Sequence, residues 1–378
     1  MFENKRRIMI FVFFLIFLCS VSLASASLFT ELLSPFEMTN FSDIYDTYYS
    51  IIDFIIYTVL FVGLSQVTIG KRFDQIDLES TFENRNAYRD LLFSAKDIEN
   101  YISGVIMYDE TFRQSSLDGN ILYPQYLSDK GIIPGIKVDM GAHNLSGTEG
   151  EKITEGLDGL NERLSEYSKL GARFAKWRAV IVISEENPSG YAIATNAHAL
   201  ARYASLCQSN DIVPIVEPEI LMDGTHDIDD SFVVTEEVLH TVFFELYSQG
   251  VHFEEMVLKP NMVLSGYECS SQASVDEVAN ATIECFMRTV PAAVPGIAFL
   301  SGGQSDQHAT AHLNRMNQLL GNNKPWNLTF SYGRALQQSA IKAWGGSEQN
   351  IVNAQNALLN RAKLNSLATK GEYSEDME

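Results

Sequence analysis

"MVLKPNMV", residues 256–263, sets a lysine at the end of an apolar run with a proline behind it. Met256-Val257-Leu258 has no polar alternation, which is the pattern of a strand buried on both faces. Pro260 lacks the N–H that a continuing central strand needs, so the strand stops there. Lys259 therefore stands at the C-terminal mouth of a buried strand. Burial disfavours an ammonium, and two readings follow. The lysine snorkels to water along its aliphatic stem, or it is a desolvated amine that attacks carbonyls.

The same pattern recurs along the chain. Apolar runs appear as "IIYTVLFVGL" (55–64), "GVIMY" (104–108), "PGIKVDM" (134–140), "FAKWRAVIVI" (174–183) and "IVPIVEPEI" (212–220). They continue as "EMVLKP" (255–260), "GIAFLSGG" (296–303) and "LTFSYG" (328–333). Between them lie segments with apolar residues at three- and four-residue spacing. Examples are "EGLDGLNERLSEYSKLGA" (155–172), "NAHALARYASLCQSN" (196–210) and "TEEVLHTVFFELYSQG" (235–250), the last with Thr235 as its expected N-cap. Eight strand–helix alternations predict an α/β fold, a (β/α)₈ TIM barrel with eight parallel strands over residues 51–365. An open doubly wound sheet is the second choice, and it lacks a GxGxxG after its first strand.

Composition narrows the function. The chain has 378 residues, is 46% hydrophobic and 20% charged, and carries a net charge of −21. Such acidity excludes nucleic acid as the main partner, because a phosphate backbone needs a basic surface. Cys19, Cys207, Cys269 and Cys285 form no CxxC pair and no zinc spacing. His308 and His312 in "HATAH" can share a helix face, but a zinc site needs further ligands, so no metal and no cofactor is expected.

The two ends read differently. "KRRIMIFVFFLIFLCSVSLASAS" (5–27) has a basic start, an apolar run and small residues, the layout of a secretory signal. Extended over residues 8–29, it is also long enough to anchor the chain in a membrane. Residues 1–50 thus read as a signal-like or anchor-like leader outside the barrel. Residues 366–378, ending "TKGEYSEDME", read as an acidic, mobile tail.

In such a barrel chemistry sits where strands end. Those ends supply Lys137, Asp139, Lys176, Arg178, Glu217, Glu219, Lys259, Ser301-Gly302-Gly303, and Ser331 with Gly333 and Arg334. Five cations at one mouth repel one another unless they hold anions. The small residues of "LSGGQS" and "FSYGRA" offer backbone N–H groups to a phosphate. The mouth therefore suits a carbonyl compound bearing phosphate. A lysine among cations and apolar walls has a lowered pKa, and Glu217 or Glu219 can move protons as an imine forms.

Taken together, "TIGKRF" (68–73), "GIKVD" (135–139), "IVPIVEPEIL" (212–221), "LKPNMV" (258–263), "FLSGGQS" (299–305), "KPWNLTFSYGRALQ" (324–337) and "KAWGG" (342–346) resemble class I fructose-bisphosphate aldolase. The resemblance runs from Thr68 to about Gly371. It implies a TIM barrel that cleaves fructose 1,6-bisphosphate to dihydroxyacetone phosphate and glyceraldehyde 3-phosphate, as in glycolysis, without metal. It implies that Lys259 forms the Schiff base, that Glu217 serves carbinolamine dehydration, and that Glu219 and Lys176 are its electrostatic neighbours. Lys137 and Arg178 then line the substrate site, and Arg72, Ser301, Gly302, Gly303, Ser331, Gly333 and Arg334 hold phosphate. A cytoplasmic homo-oligomer, usually a tetramer, with sugar phosphates as its small-molecule partners is also implied.

Three departures stand out. The family's acid–base aspartate on the first strand falls on Gly63, with its next serine on Ser65. Met140 replaces the lysine usual after "GIKVD". The chain ends in "EYSEDME" without the family's terminal tyrosine. These favour an alternative, a catalytically weak aldolase-like binding or scaffold protein, tethered to a membrane if the leader is retained.

Overall fold

The structure is a computed structural model, and it describes residues 59–61 and 66–378. The leader, Gly63 and Ser65 lie outside the described residues. A short first strand, β1 (Val59–Phe61), is followed by β2 (Gly104–Met107) and β3 (Ile133–Lys137). A small hairpin comes next, β4 (Ala142–Asn144) and β5 (Lys152–Thr154). The remaining strands are β6 (Phe174–Ile181), β7 (Val213–Ile220), β8 (Val257–Leu258), β9 (Gly296–Phe299) and β10 (Asn327–Phe330).

Seven of these, β2, β3 and β6 to β10, are consecutive parallel neighbours in one curled sheet, and β1 pairs with the outer side of β2. Each of the eight apolar runs in the sequence overlaps one of its strands. All eight residues of β7 are buried, as a strand covered on both faces requires. Helices separate the strands, chiefly 160–169, 190–208, 228–248, 275–289, 306–320 and 334–344. A parallel sheet brings all its strand C-termini to one edge, so the polar residues after each strand converge there.

Local chemistry explains several element boundaries. The ring of Phe174 at the start of β6 lies across two neighbouring strands, and glycines make room for it. A Cβ on Gly135 would fall 2.2 Å from the ring, and one on Gly104 would fall 3.2 Å away. The helix expected to begin at Thr235 instead spans Ile228–Ser248. Its cap is Asp227, whose carboxylate accepts from the amides of Asp229 and Asp230, while Asp230 answers to the amide of Asp227. Thr235 is buried in the helix interior. "DIDD" is a stronger start signal than "TEE", because it satisfies three N-terminal amides rather than one.

Two segments differ from the sequence reading. The β4–β5 hairpin was not anticipated, since β4 is exposed throughout and has no apolar alternation to read. It is held by polar contacts instead. Glu151 accepts from the Ser189 amide and hydroxyl, both at 2.6 Å, and Asn196 donates to the Lys152 carbonyl at 2.8 Å. The segment read as a mobile tail is docked. Residues 366–368 complete the helix Ile351–Ala368, Tyr373 is buried, its hydroxyl donates to Glu378 at 2.8 Å, and Arg361 pairs with Glu378. Its acidity reads as solvation in sequence, yet one carboxylate finds a buried arginine.

Candidate active site

Register sets the centre of the site. Lys137 on β3 is level with Lys176 on β6, and Arg178 is level with Glu217 on β7. Lys176, Arg178, Glu217 and Glu219 lie within their strands, because β6 and β7 run further than their apolar cores suggest. Lys259 follows β8 directly, and its amide donates to Val216 O at 2.8 Å, which holds it beside Glu217.

The Lys259 Nζ lies 2.9 Å from one carboxylate oxygen of Glu217, and the Lys176 Nζ lies 2.7 Å from the other. Lys176 also reaches Asp139 at 3.6 Å, and Asp139 pairs with Lys137 at 2.5 Å. Arg178 pairs with Glu219 alongside. Lys176, Glu217 and Lys259 are all at most 3% exposed, so screening by water is slight and these contacts act at short range. The repulsion expected among five cations is therefore relieved by the protein's own carboxylates. Setting the Arg178–Glu219 pair aside, three lysines face two carboxylates, an excess of one positive charge. Discharge of one lysine would balance the cluster.

The ionisation of these groups follows from the same neighbours. Burial disfavours the charged form of Lys259 and lowers its pKa below the ordinary 10.5, and Lys176 adds to this while Glu217 opposes it. Burial also lowers that of Lys137. For Glu217 burial acts upward, but Lys176, Lys259 and Arg178 together outweigh it and bring the carboxyl down to about 2. Glu217 is thus a carboxylate at rest, set to receive a proton. Asn261, two residues past Lys259, accepts from the Ile220 amide at 3.0 Å and ties the end of β7 to the segment behind the lysine.

A second group of candidates surrounds the loops after β9 and β10. The amide of Leu300 donates to Pro260 O at 3.0 Å, which puts Ser301 beside the lysine segment. Gly302 adopts φ +53°, a left-handed conformation that favours glycine. Ser331 is buried, and its hydroxyl has no hydrogen-bond partner among the described residues. Gly333 precedes the helix Arg334–Trp344 as its N-cap residue. Arg334 donates to Gln304 O and stands 3.9 Å from Asp306. Arg72, on the helix Gln66–Phe73, donates to the Gln337 amide oxygen at 3.2 Å. Burial lowers its pKa, and the nearby charge of Arg334 lowers it further. Arg72 and Arg334 thus bring two positive charges near each other, a repulsion that a bound anion would relieve.

Asp139, read in the sequence only as a strand-end residue without a role, and Asn261, not singled out at all, hold the centre together. Their signal was position alone, two residues beyond Lys137 and Lys259. Met140 is exposed, so the departure there faces solvent. His308 and His312 share a helix as expected, but His312 is buried and contacts the Gln304 side chain at 2.7 Å. Among the described residues no group of three or more His, Cys, Asp or Glu is placed to hold a metal ion. Among the same residues no helix is long and apolar enough to cross a membrane.

A buried lysine touching a carboxylate at the strand ends of a parallel sheet is the arrangement of a lysine-centred class of α/β protein. The family model for fructose-bisphosphate aldolase class-I matches residues 57–378, and the chain belongs to that family. It is 54% identical over 316 residues to a probable fructose-bisphosphate aldolase class 1 of Xanthomonas campestris, covering 83% of this chain and 94% of the relative. It is 51% identical over 320 residues to the cytosolic fructose-bisphosphate aldolase 4 of Arabidopsis thaliana, covering 85% and 81%. Among solved structures, the fructose-bisphosphate aldolase of Plasmodium falciparum, crystallised with TRAP and a small-molecule inhibitor, superposes with a TM-score of 0.85. That pair shares 48% identity and covers 88% of this chain and 96% of the other.

Proposed function

We propose that this chain cleaves fructose 1,6-bisphosphate to dihydroxyacetone phosphate and glyceraldehyde 3-phosphate through an imine on Lys259. The contact between Lys259 and Glu217 carries this reading. Glu217 takes a proton from the Lys259 ammonium at 2.9 Å, and the freed amine adds to the ketose carbonyl. The proton on the new cationic nitrogen passes to the alkoxide to give the carbinolamine, and Glu217 gives its own proton to the carbinolamine hydroxyl, which leaves as water as the protonated imine forms. Glu217 can hold that proton until it is needed, because its pKa is kept down partly by the ammonium of Lys259 and that charge is gone in the carbinolamine. Lys176 balances the carboxylate, and Arg178 with Glu219 fixes its flank. Lys137 lines the substrate site, and Arg72, Ser301, Gly302, Gly303, Ser331, Gly333 and Arg334 receive the phosphates.

The barrel is proposed to close between β1 and β10, which lie within contact distance of each other. A homo-oligomer, a tetramer by family resemblance, is part of the same proposal, as is a cytoplasmic setting for the barrel, with residues 1–50 as a separate leader. A second reading is favoured by one residue. Gly63 stands where the resemblance puts an acid–base aspartate, so the chain would bind and form the imine but cleave the carbon–carbon bond slowly.

The test is borohydride trapping of dihydroxyacetone phosphate on the purified chain, beside a cleavage assay with EDTA present. Lys259→Met should abolish covalent trapping. Trapping that survives this change removes the nucleophile assignment.

A further inference from the structure

We propose that Tyr267 is a phosphate-binding residue of this site, its phenol hydroxyl donating to the phosphate held over the Ser301-Gly302-Gly303 turn. The inference rests on the sugar-phosphate reading above and adds to it a donor from a different loop. Its first support is position. A Cβ built on Gly303 would fall 1.5 Å from the Tyr267 hydroxyl oxygen, so the hydroxyl lies directly against the backbone of that turn. Gly303 is small because this hydroxyl occupies the space a side chain would fill.

The second support is how the tyrosine is held. Its loop is joined to the loop after β7 by three consecutive backbone hydrogen bonds. These run from Gly266 to His226 O at 2.8 Å, from Tyr267 to Met222 O at 2.8 Å, and from Glu268 to Gly224 O at 2.9 Å. A Cβ on Gly266 would fall 2.3 Å from Gly224 O, so the two backbones are in close contact. The phenol is therefore delivered to the turn by a braced strap rather than a free loop.

The third support is what the hydroxyl lacks. Its contact is the Met222 sulfur at 3.7 Å, a weak acceptor. The side chain is 47% exposed, open to a ligand entering from solvent. Burial raises its pKa, Arg334 opposes this, and the carboxylates of Asp223 and Glu219 raise it again, so at neutral pH it is a protonated donor. The buried, unpartnered Ser331 hydroxyl points independently to a ligand at the neighbouring strand end.

Tyr267→Phe removes the donor and keeps the ring. Titration calorimetry of inorganic phosphate into the full chain should show affinity about tenfold weaker in the variant, the worth of one hydrogen bond to a charged acceptor. The KM for fructose 1,6-bisphosphate should rise by a similar factor, with kcat within about twofold, because the contact is made equally in ground and transition states. Equal phosphate affinity in the two proteins overturns the inference, and so does tighter binding in the variant, which would make Tyr267 an obstruction. Failure of the wild-type chain to bind phosphate overturns it as well. A wild-type chain that binds phosphate without cleaving the sugar refutes the proposed reaction and leaves the role of Tyr267 to be read from the affinities.

Discussion

At the scale of residues, the chemistry turns on a carboxylate between two ammonium groups. Glu217→Gln keeps the shape but removes the proton carrier and the counter-charge of both lysines. Imine formation should slow by about 10²–10⁴, the usual worth of one acid–base group, as read by the rate of borohydride trapping. The same change alters acid stability. The Glu217 pKa falls from 4.5 to about 2 on folding, so its stabilisation is complete above 4.5 and fades as pH drops toward 2. Denaturant melts should show the wild-type chain losing stability in that window more steeply than the glutamine variant. Lys259 and Glu217 were legible in the sequence because a charge inside an apolar run is costly and therefore conspicuous. Tyr267 was not, since a tyrosine in a polar loop carries no such cost and the Gly303 turn it faces lies 36 positions away in the chain.

At the scale of elements, continuous apolar runs made the strands readable, because a strand covered on both faces needs nothing else to identify it. Their lengths were less readable. β6 and β7 carry lysine, arginine and glutamates inside the strand, where apolar patterning alone predicts an end. Those residues are tolerated because each cation of β6 pairs diagonally with a carboxylate of β7, Lys176 with Glu217 and Arg178 with Glu219. The hairpin β4–β5 escaped because polar contacts hold it, with no buried stripe. The strap between the loops after β7 and β8 is of the same polar kind, and Gly266 is its vulnerable point. In Gly266→Ala the new Cβ meets backbone atoms of Gly224 at 2.3 and 2.8 Å, which cannot swing aside as a side chain tip can. The three hydrogen bonds should open, at a cost of about 1–3 kcal/mol. Hydrogen exchange at the amides of residues 266–268 should accelerate while the amides of β7 stay protected, and the KM for the bisphosphate should rise.

At the scale of the whole molecule, the family and the lysine-centred site coexist with a first-strand region that departs from the resemblance. The two halves of the reaction make different demands on the chain. Forming the imine needs Lys259, Glu217 and a held phosphate, all among the described residues. Breaking the carbon–carbon bond also needs a base for the substrate hydroxyl proton, and the resemblance would put that base at Gly63, which has no side chain to take it. Trapping and cleavage should therefore be separable in this protein. Gly63→Asp in the full chain should raise the cleavage rate, by up to about 10²–10⁴ if the aspartate regains the whole role. It should leave borohydride trapping of dihydroxyacetone phosphate unchanged, because that ligand already lacks the bond to be broken. A cleavage rate that does not move, on a protein that still traps the ligand, would mean that another group already takes the proton or that the first strand is not placed as aligned. A gain in cleavage with trapping unchanged would locate the departure in one atom group and make the rest of the site competent as it stands.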